Sequence, residues 1–522
     1  MNHIRICSVP GLSNDYQHTI YFTDPDEQKS FFNSKTVKDF FDYTYTRKNW
    51  DLKVETNITA AESWNYLYFE AMTENGLLTG RRYYYFITDV TYISESTVKL
   101  SLEMDVLQTY FFDYNLQPCF VEREHSTTDG IGDNTVDEGL ELGKLAVGSH
   151  VMPEALIHRD VLVMSTVNLL SDTFGDIEFV TECDNVASGC AIYRVKGLTE
   201  LSGLLIQLND AGKLDGVVTM WEYPSALINA KFPDFATSNV SGTKDSITFT
   251  ANRPSDLDGY APKNNKLFTY PYCFLQANNN AGNNAEFRFE RFEDTAFEFA
   301  IMGSVFPDGG VKIIPKNYNG IGFNYEESIS LTGYPTIAWN TDSYKIWLAQ
   351  NQNQNNLALA TSAGSAIIGA GIGIAGAFMS NPLMIGSGIS MATGGAMGVF
   401  NQISQKADME KVPPQSRGAT SSTLNASTGT MGISFYQKTV SAERARILDD
   451  FFTMYGYATQ RVKIPNRNAR KSFTFTKTSN CHIFANICHA DIQKIQSIYN
   501  NGVTFWQPSV TVGNYAADNA VK

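Results

Sequence analysis

The chain has 522 residues, more than one compact core accommodates, so several domains are expected. A hydrophobic content of 43% is that of a globular chain, and 12% aromatics favour strands, where flat rings pack on a pleated surface. A formal charge of -14 argues against a surface built to grip nucleic acid, which needs clustered Lys and Arg. Seven scattered cysteines, an odd number, do not describe a disulfide framework. The opening MNHIRICSVPGLSND lacks the basic start and apolar core of a signal peptide, which predicts synthesis in a cytoplasm without that route of export.

In chain order, the first third reads as strands with some helix. The run TVKLSLEMDV, Thr97 to Val106, alternates apolar and polar residues throughout, which predicts a strand with one buried face. The preceding RRYYYFITDVTYI is predicted to pair with it as a hairpin through Ser94, Glu95 and Ser96. A polar, glycine-dotted run, STTDGIGDNTVDEGLELG, follows and reads as a domain boundary. From about residue 150 to 340, short apolar runs such as DVLVMSTVNLL, CAIYRVKGL, FEFAIMGSVF and VKIIP alternate with turn clusters. This predicts a β-rich region, with Leu201 to Lys213 as a possible helix. Near the end, SAERARILDDFFTMY predicts a helix with Ile447, Leu448, Phe451, Phe452 and Tyr455 inward, stopped at Gly456. KSFTFTK reads as a strand, Ala490 to Tyr499 as a second helix closed by Asn501-Gly502, and VTFW as a last strand before a frayed tail.

One segment differs from all the others. Between Lys345 and Lys406 there is no charged residue. Two apolar stretches, Leu357 to Met379 and Leu383 to Phe400, flank the turn Ser380-Asn381-Pro382. Helices of about 17 to 23 residues rise roughly 26 to 34 Å, close to the hydrocarbon thickness of a bilayer. The pair therefore reads as a hairpin able to enter a membrane. Its apolar surface comes from Leu357, Leu359, Ile367, Ile368, Ile372, Ile374, Phe378, Met379, Leu383, Met384, Ile385, Ile389, Met391, Met397, Val399 and Phe400, with Asn381 and Pro382 at the tip. Gly369 with Gly373, and Gly394 with Gly398, would let helix backbones approach closely. The alternatives are a Gly/Ala/Ser loop or helices buried in the protein's own core. Residues 371–376 also spell G-x-G-x-x-G, but no acidic residue follows until Asp408, so a dinucleotide site is not supported.

Other candidate chemistry is weak. Cys481-His482 and Cys488-His489 match no common zinc spacing, and Asp129, Asp133 and Asp137 do not follow the ligand order of a calcium loop. Arg461, Lys463, Arg467, Arg470 and Lys471 form one basic cluster, better read as a solvated face or subunit contact than as a DNA site. There is no G-x-S-x-G, H-E-x-x-H or P-loop, so no enzyme, cofactor or metal is expected.

The C-terminal runs AERARILDDFFTMYGY, VKIPNRNARKSFTFTK and IQKIQSIYNNGVTFW resemble the tail knob (distal tube) proteins of phi29-like short-tailed bacteriophages. The run from Tyr83 through TVKLSLEMDVLQTYFFDY to FVEREH is similar to the first tube segment of that family, and the uncharged insertion sits where the family carries a hydrophobic loop. The resemblance implies a homohexameric tube at the tail tip, joined to a lower collar (proximal tail) protein. Its loops would block the bore and then enter the host cytoplasmic membrane, where its lipids become partners and DNA passes without sequence-specific binding. The acidic charge is compatible with a wall along which DNA slides. The expected fold is therefore mainly β with a few helices (α+β), a multidomain subunit of a ring or tube oligomer with a long hydrophobic loop. The expected segments are 1–125 (first tube segment), 126–340 (β-rich middle), 341–417 (membrane-active loop) and 418–522 (last tube segment). The protein would reside at the virion tail tip and transiently in the host membrane. A pore-forming toxin-like protein and a tail-tip cell-wall hydrolase are the competing readings.

Overall fold

The computed structural model describes residues 2–43, 50–72, 78–167, 182–183, 186–187, 190–196, 198–230, 237–279, 282–307, 309–331, 334, 336–337, 341 and 432–522. They group into two compact units, neither of them a single run of chain. One contains 1–144, 259–271 and 440–522; the other contains 145–258 and 272–439. Mainly β architecture with a few helices holds in both.

In the first unit, a six-stranded sheet runs in the order Thr36–Tyr43, Asn2–Cys7, Tyr66–Met72, Leu78–Ser94, Thr97–Met104, Trp50–Glu55. The alternation in TVKLSLEM is realised residue by residue: Val98, Leu100, Leu102 and Met104 are buried and the residues between them are half-buried. The predicted hairpin forms, with Tyr85 opposite Met104 and Ser94 opposite Thr97. The strand stops two residues earlier than the alternation suggested. Asp105 leaves the ladder and its carboxylate accepts the N–H groups of Leu107 (3.0 Å) and Gln108 (3.1 Å), capping the turn Val106–Thr109.

A second sheet in this unit orders His18–Ile20, Val503–Trp506, Phe473–Ser479, Cys119–Glu124 and Tyr457–Lys463. The first and last parts of the chain thus share a sheet, through the parallel pairing of His18 with Thr504 and Ile20 with Trp506. The helix Ala442–Tyr455 begins at Ser441, whose hydroxyl accepts from the Arg444 N–H, and ends at Gly456. Gly456 has φ 65° and ψ -151°, and a Cβ there would lie 2.2 Å from the Glu124 carbonyl oxygen. Only glycine fits. The inward face departs from expectation: Leu448 and Phe452 are buried, but Ile447 is 53% exposed and Asp449 is buried instead. The second helix spans His489–Asn501; of Ile492, Ile495, Ile498 and Tyr499, which apolar spacing turns inward, the last three are buried and Ile492 is half-buried. The tail is not frayed. Lys471 N–H donates to the Ala520 carbonyl (3.0 Å), and Asn519 Oδ1 accepts from the Ser472 (3.1 Å) and Phe473 (2.9 Å) N–H groups.

Among the described residues, the second unit carries three sheets of four or more strands. The largest orders Ile228–Ala230, Thr237–Thr243, Ala191–Val195, Arg159–Ser165, Val217–Pro224 and Thr336–Ile337. Another contains Ile247–Ala251, Phe297–Gly303, Val311–Tyr318 and Ile321–Phe323, with Ile329–Leu331 also on Val311–Tyr318. A third orders Leu145–Val151, Ser434–Val440, Cys273–Asn278 and Asn284–Phe287. The run that allowed a helix forms Leu198–Asp210.

Candidate functional site: the roots of the apolar insertion

The 18 residues named for membrane contact, Leu357 through Phe400, lie outside the described residues. What the structure gives is the two places where the chain leaves for this segment and returns from it. Both belong to the second unit.

At departure, Thr336–Ile337 is the edge strand of the largest sheet, with Thr336 opposite Trp221 and Ile337 opposite Met220. The receiving strand Val217–Pro224 is held hard. Trp221 is fully buried and its Nε1–H donates to the Val305 carbonyl at 3.0 Å. Next to it, Glu222 is buried beside Arg159 at 3.2 Å. Burial pushes the Glu222 carboxyl up to about 7, and the Arg159 guanidinium opposes that shift. Tyr334, two residues before the edge strand, is buried with its ring centroid 5.7 Å from that of Tyr223.

At return, Ile433 is buried and Ser434–Val440 enters as an inner strand, with Cys273 opposite Thr439 and Asn278 opposite Ser434. Phe435 packs against Phe249 (4.9 Å between centroids) and Phe299 (5.1 Å). Phe299 in turn meets Phe287 (5.0 Å) and Phe292 (5.5 Å). Burying one such ring stabilises the unit by roughly 2 to 3 kcal/mol. The segment therefore leaves from an edge strand paired to a buried one and returns into a buried inner strand.

The weaker sequence signals resolve into architecture. In the basic cluster, Lys463 pairs with Glu124, Arg470 with Asp129 (3.6 Å) and Lys471 with Asp518 (3.7 Å), while Arg467 lies over the Phe111 and Tyr114 rings. Lys463, Arg467 and Arg470 are thus engaged within the fold, whereas Arg461 and Lys471 lie exposed on its surface. Asp129 accepts from the Tyr457 hydroxyl (2.5 Å), whereas Asp133 and Asp137 bond nearby backbone N–H groups, so the three carboxylates do not converge. Cys481 is buried and Cys488 exposed, and no metal-binding group of His, Cys, Asp and Glu occurs among the described residues. No helix among the described residues is long and apolar enough to cross a membrane.

Sequence reading missed two buried carboxylates that fasten distant segments of the first unit. Asp449 accepts from the Tyr260 hydroxyl (2.7 Å) and from the backbone N–H groups of Lys263 (2.8 Å) and Asn264 (3.0 Å), holding 259–271 in place. Glu138, in the glycine-dotted run, pairs with Arg123 and Lys266 and accepts the Ala458 N–H at 2.8 Å. The available signal was an acidic residue interrupting an apolar helix face at position 449. Nearby, His125 is buried and neutral. Its Nε2–H donates to the Thr453 carbonyl (3.1 Å) and its Nδ1 accepts the Phe475 N–H (2.7 Å). Burial and then the Arg470 charge push it down to about 3.

Residues 231–520, more than half of the chain, match the family described as Bacillus phage phi29, tail knob protein gp9, C-terminal domain. The chain belongs to the phi29 tail knob family. Residues 2–115 also match the family described as caudoviral major tail protein N-terminus. The tail knob protein gp9 of Bacillus phage phi29 is 25% identical over 617 residues, spanning 100% of this chain and 98% of the relative. That of Bacillus phage B103 is 24% identical over 606 residues, spanning 99% and 98%. The fold matches that of the bacteriophage C1 tail knob protein gp12, with a TM-score of 0.69 at 15% identity over the full length of both chains. Family membership makes this tail knob chain a structural protein of the phage tail.

Proposed function

We propose that the protein forms, as a homohexamer, the distal tail tube through which phage DNA leaves, and that its apolar insertion penetrates the host cytoplasmic membrane. The carrying observation is the uncharged stretch between Lys345 and Lys406, flanked on both sides by strands paired into the sheets of a tail knob fold. Rooting at both ends lets a segment change its surroundings while the body that bears it stays folded. Apolar surface gains about 25 cal/mol per Å² on leaving water, which would drive insertion once the segment meets lipid. Six copies carry about -84 together, which disfavours adhesion of DNA to the wall. The proximal end would join a lower collar protein, and the partners at the far end would be membrane lipids.

Dye release from liposomes tests this, using the full chain, a variant lacking 357–400 and a peptide of that segment. Leakage by the chain and the peptide, with none by the deletion variant, is the expected outcome. Leakage by the peptide alone would mean that the assembled form holds the segment back until triggered. Silence from all three would overturn the membrane reading and leave the segment as an internal plug.

A further inference from the structure

We propose that Cys119 and Cys481 are a redox-sensitive thiol pair, closing to a disulfide when the protein passes from a reducing cytoplasm to oxidising surroundings.

Both residues belong to the first unit, and they sit where two ladders meet. Ser479 stands opposite Phe120, and Ile483 opposite Leu116, so one antiparallel register runs through both. Between them the ladder is interrupted: Pro118 has no N–H to give, and Asn480 takes φ 54°. The Gln117 N–H still donates to the His482 carbonyl at 2.9 Å, keeping the segments side by side. Cys119 and Cys481 are then diagonal neighbours. Strands about 4.8 Å apart with a rise of about 3.3 Å per residue put such Cα atoms about 6 Å apart, within the span a disulfide bridges. Their side chains share a side: Cys119 (3% exposed) and Cys481 (4%) are buried, while Phe120 and His482 face out. Each thiol lies close enough to shift the ionisation of the other, and Thr478 lies beside both. Both are free thiols in this structure.

The reaction balances with a small-molecule disulfide such as glutathione disulfide. The Cys119 thiolate, the better stabilised of the two, attacks one sulfur and expels a glutathione thiolate. The Cys481 thiolate then displaces the second glutathione, giving the protein disulfide and two glutathione thiols. Two protons leave the cysteines and two electrons reduce the oxidant. Burial pushes Cys481 up to about 12 and raises Cys119 as well, so thiolate is scarce near neutrality and the pair closes slowly. The bond would tie the front of the chain to its end across the whole second unit and the insertion.

The test incubates the full chain with glutathione disulfide at pH 7, 8 and 9, quenches with a thiol alkylator and maps cross-linked peptides by mass spectrometry. We expect two of seven thiols to be lost and one peptide joining Cys119 to Cys481. Between pH 8 and 9 the rate should rise more than the roughly threefold expected of an ordinary cysteine of pKa near 8.5. Cys119→Ala and Cys481→Ala should each abolish the cross-link, and Cys273→Ala should leave it intact. If an alanine variant fails to fold, the cross-linked peptide from the unaltered chain decides alone. Retention of all thiols after prolonged oxidation at pH 9, or a cross-link through another pair, overturns the proposal.

Discussion

The two units share packed rings, such as Phe32 with Tyr66 and Tyr84 in the first, and differ in what else holds them. The second gathers rings: Phe249, Phe287, Phe292, Phe299 and Phe435 form one packed group, with Arg159 and Glu222 as a buried ion pair elsewhere in the unit. The first is assembled from three separated pieces of chain and adds buried carboxylates at the joins: Glu124 to Asn466, Glu138 to Ala458, Asp449 to Asn264. Apolar contact is non-directional and tolerates a slipped segment. A carboxylate that must receive particular N–H groups does not, because leaving a buried polar group unmet costs about 1 to 3 kcal/mol or more. A unit built from distant segments gains its register from such acceptors.

The hardest blow to the first unit is predicted at its glycine corner. Gly456→Ala places a Cβ against the Glu124 carbonyl at a backbone angle that side chains avoid. A loss of about 4 kcal/mol or more is expected, read as a collapse of the denaturation midpoint. Asp449→Ala comes next, at about 3 kcal/mol, because four donors from 259–271 lose their acceptor. Hydrogen exchange should show 260–268 opening first. A general loss of protection spread evenly over both units would break the comparison.

These two positions also mark how far sequence can be read. The hairpin of Leu78–Ser94 with Thr97–Met104 was legible because its partners are neighbours and its alternation is unbroken. The pairing of His18–Ile20 with Val503–Trp506 was not, since nothing in either short run names a partner hundreds of residues away. The helix Ala442–Tyr455 was legible, cap to stop, but its orientation was not. Apolar spacing weighs Ile447 above Asp449, and only the distant segment 259–271 makes an inward carboxylate favourable. The insertion was legible by its missing charge; its roots, two strands in different sheets, required tertiary pairing to be seen.

Acid should pull the units in opposite directions. His125 is neutral in the fold and drops from 6.5 to about 3, so the unfolded chain takes up the proton first. Its contribution is complete above pH 6.5 and is lost as pH falls, by about 2 kcal/mol between pH 6.5 and 5. Glu222 is raised from 4.5 to about 7, so the folded second unit takes up the proton first. Between pH 7 and 4.5 that unit gains stability as pH falls, by up to about 3 kcal/mol. Limited proteolysis from pH 7 to 5 should therefore find the second unit growing less susceptible, while in the first the loss through His125 is partly offset by buried Asp105, raised from 3.8 to about 6. Glu222→Gln should flatten the second trend alone.

The smallest effect sharpens the contrast most. Ile447 lies on the helix Ala442–Tyr455 at a position that apolar spacing assigns to the core, yet it is 53% exposed. Were the first unit held by apolar packing along that face, Ile447→Ser would cost several kcal/mol. If instead the helix is docked through Asp449, Leu448 and Phe452, the exchange should fall within about 0.5 kcal/mol, as surface substitutions do. The measurement is a urea denaturation curve for Ile447→Ser beside one for Leu448→Ala, expected to lose about 3 kcal/mol at the adjacent buried position. Equal losses from the two would mean that another surface covers Ile447 in solution. That cover would come from outside the packing of the described first unit, whose own core leaves Ile447 exposed.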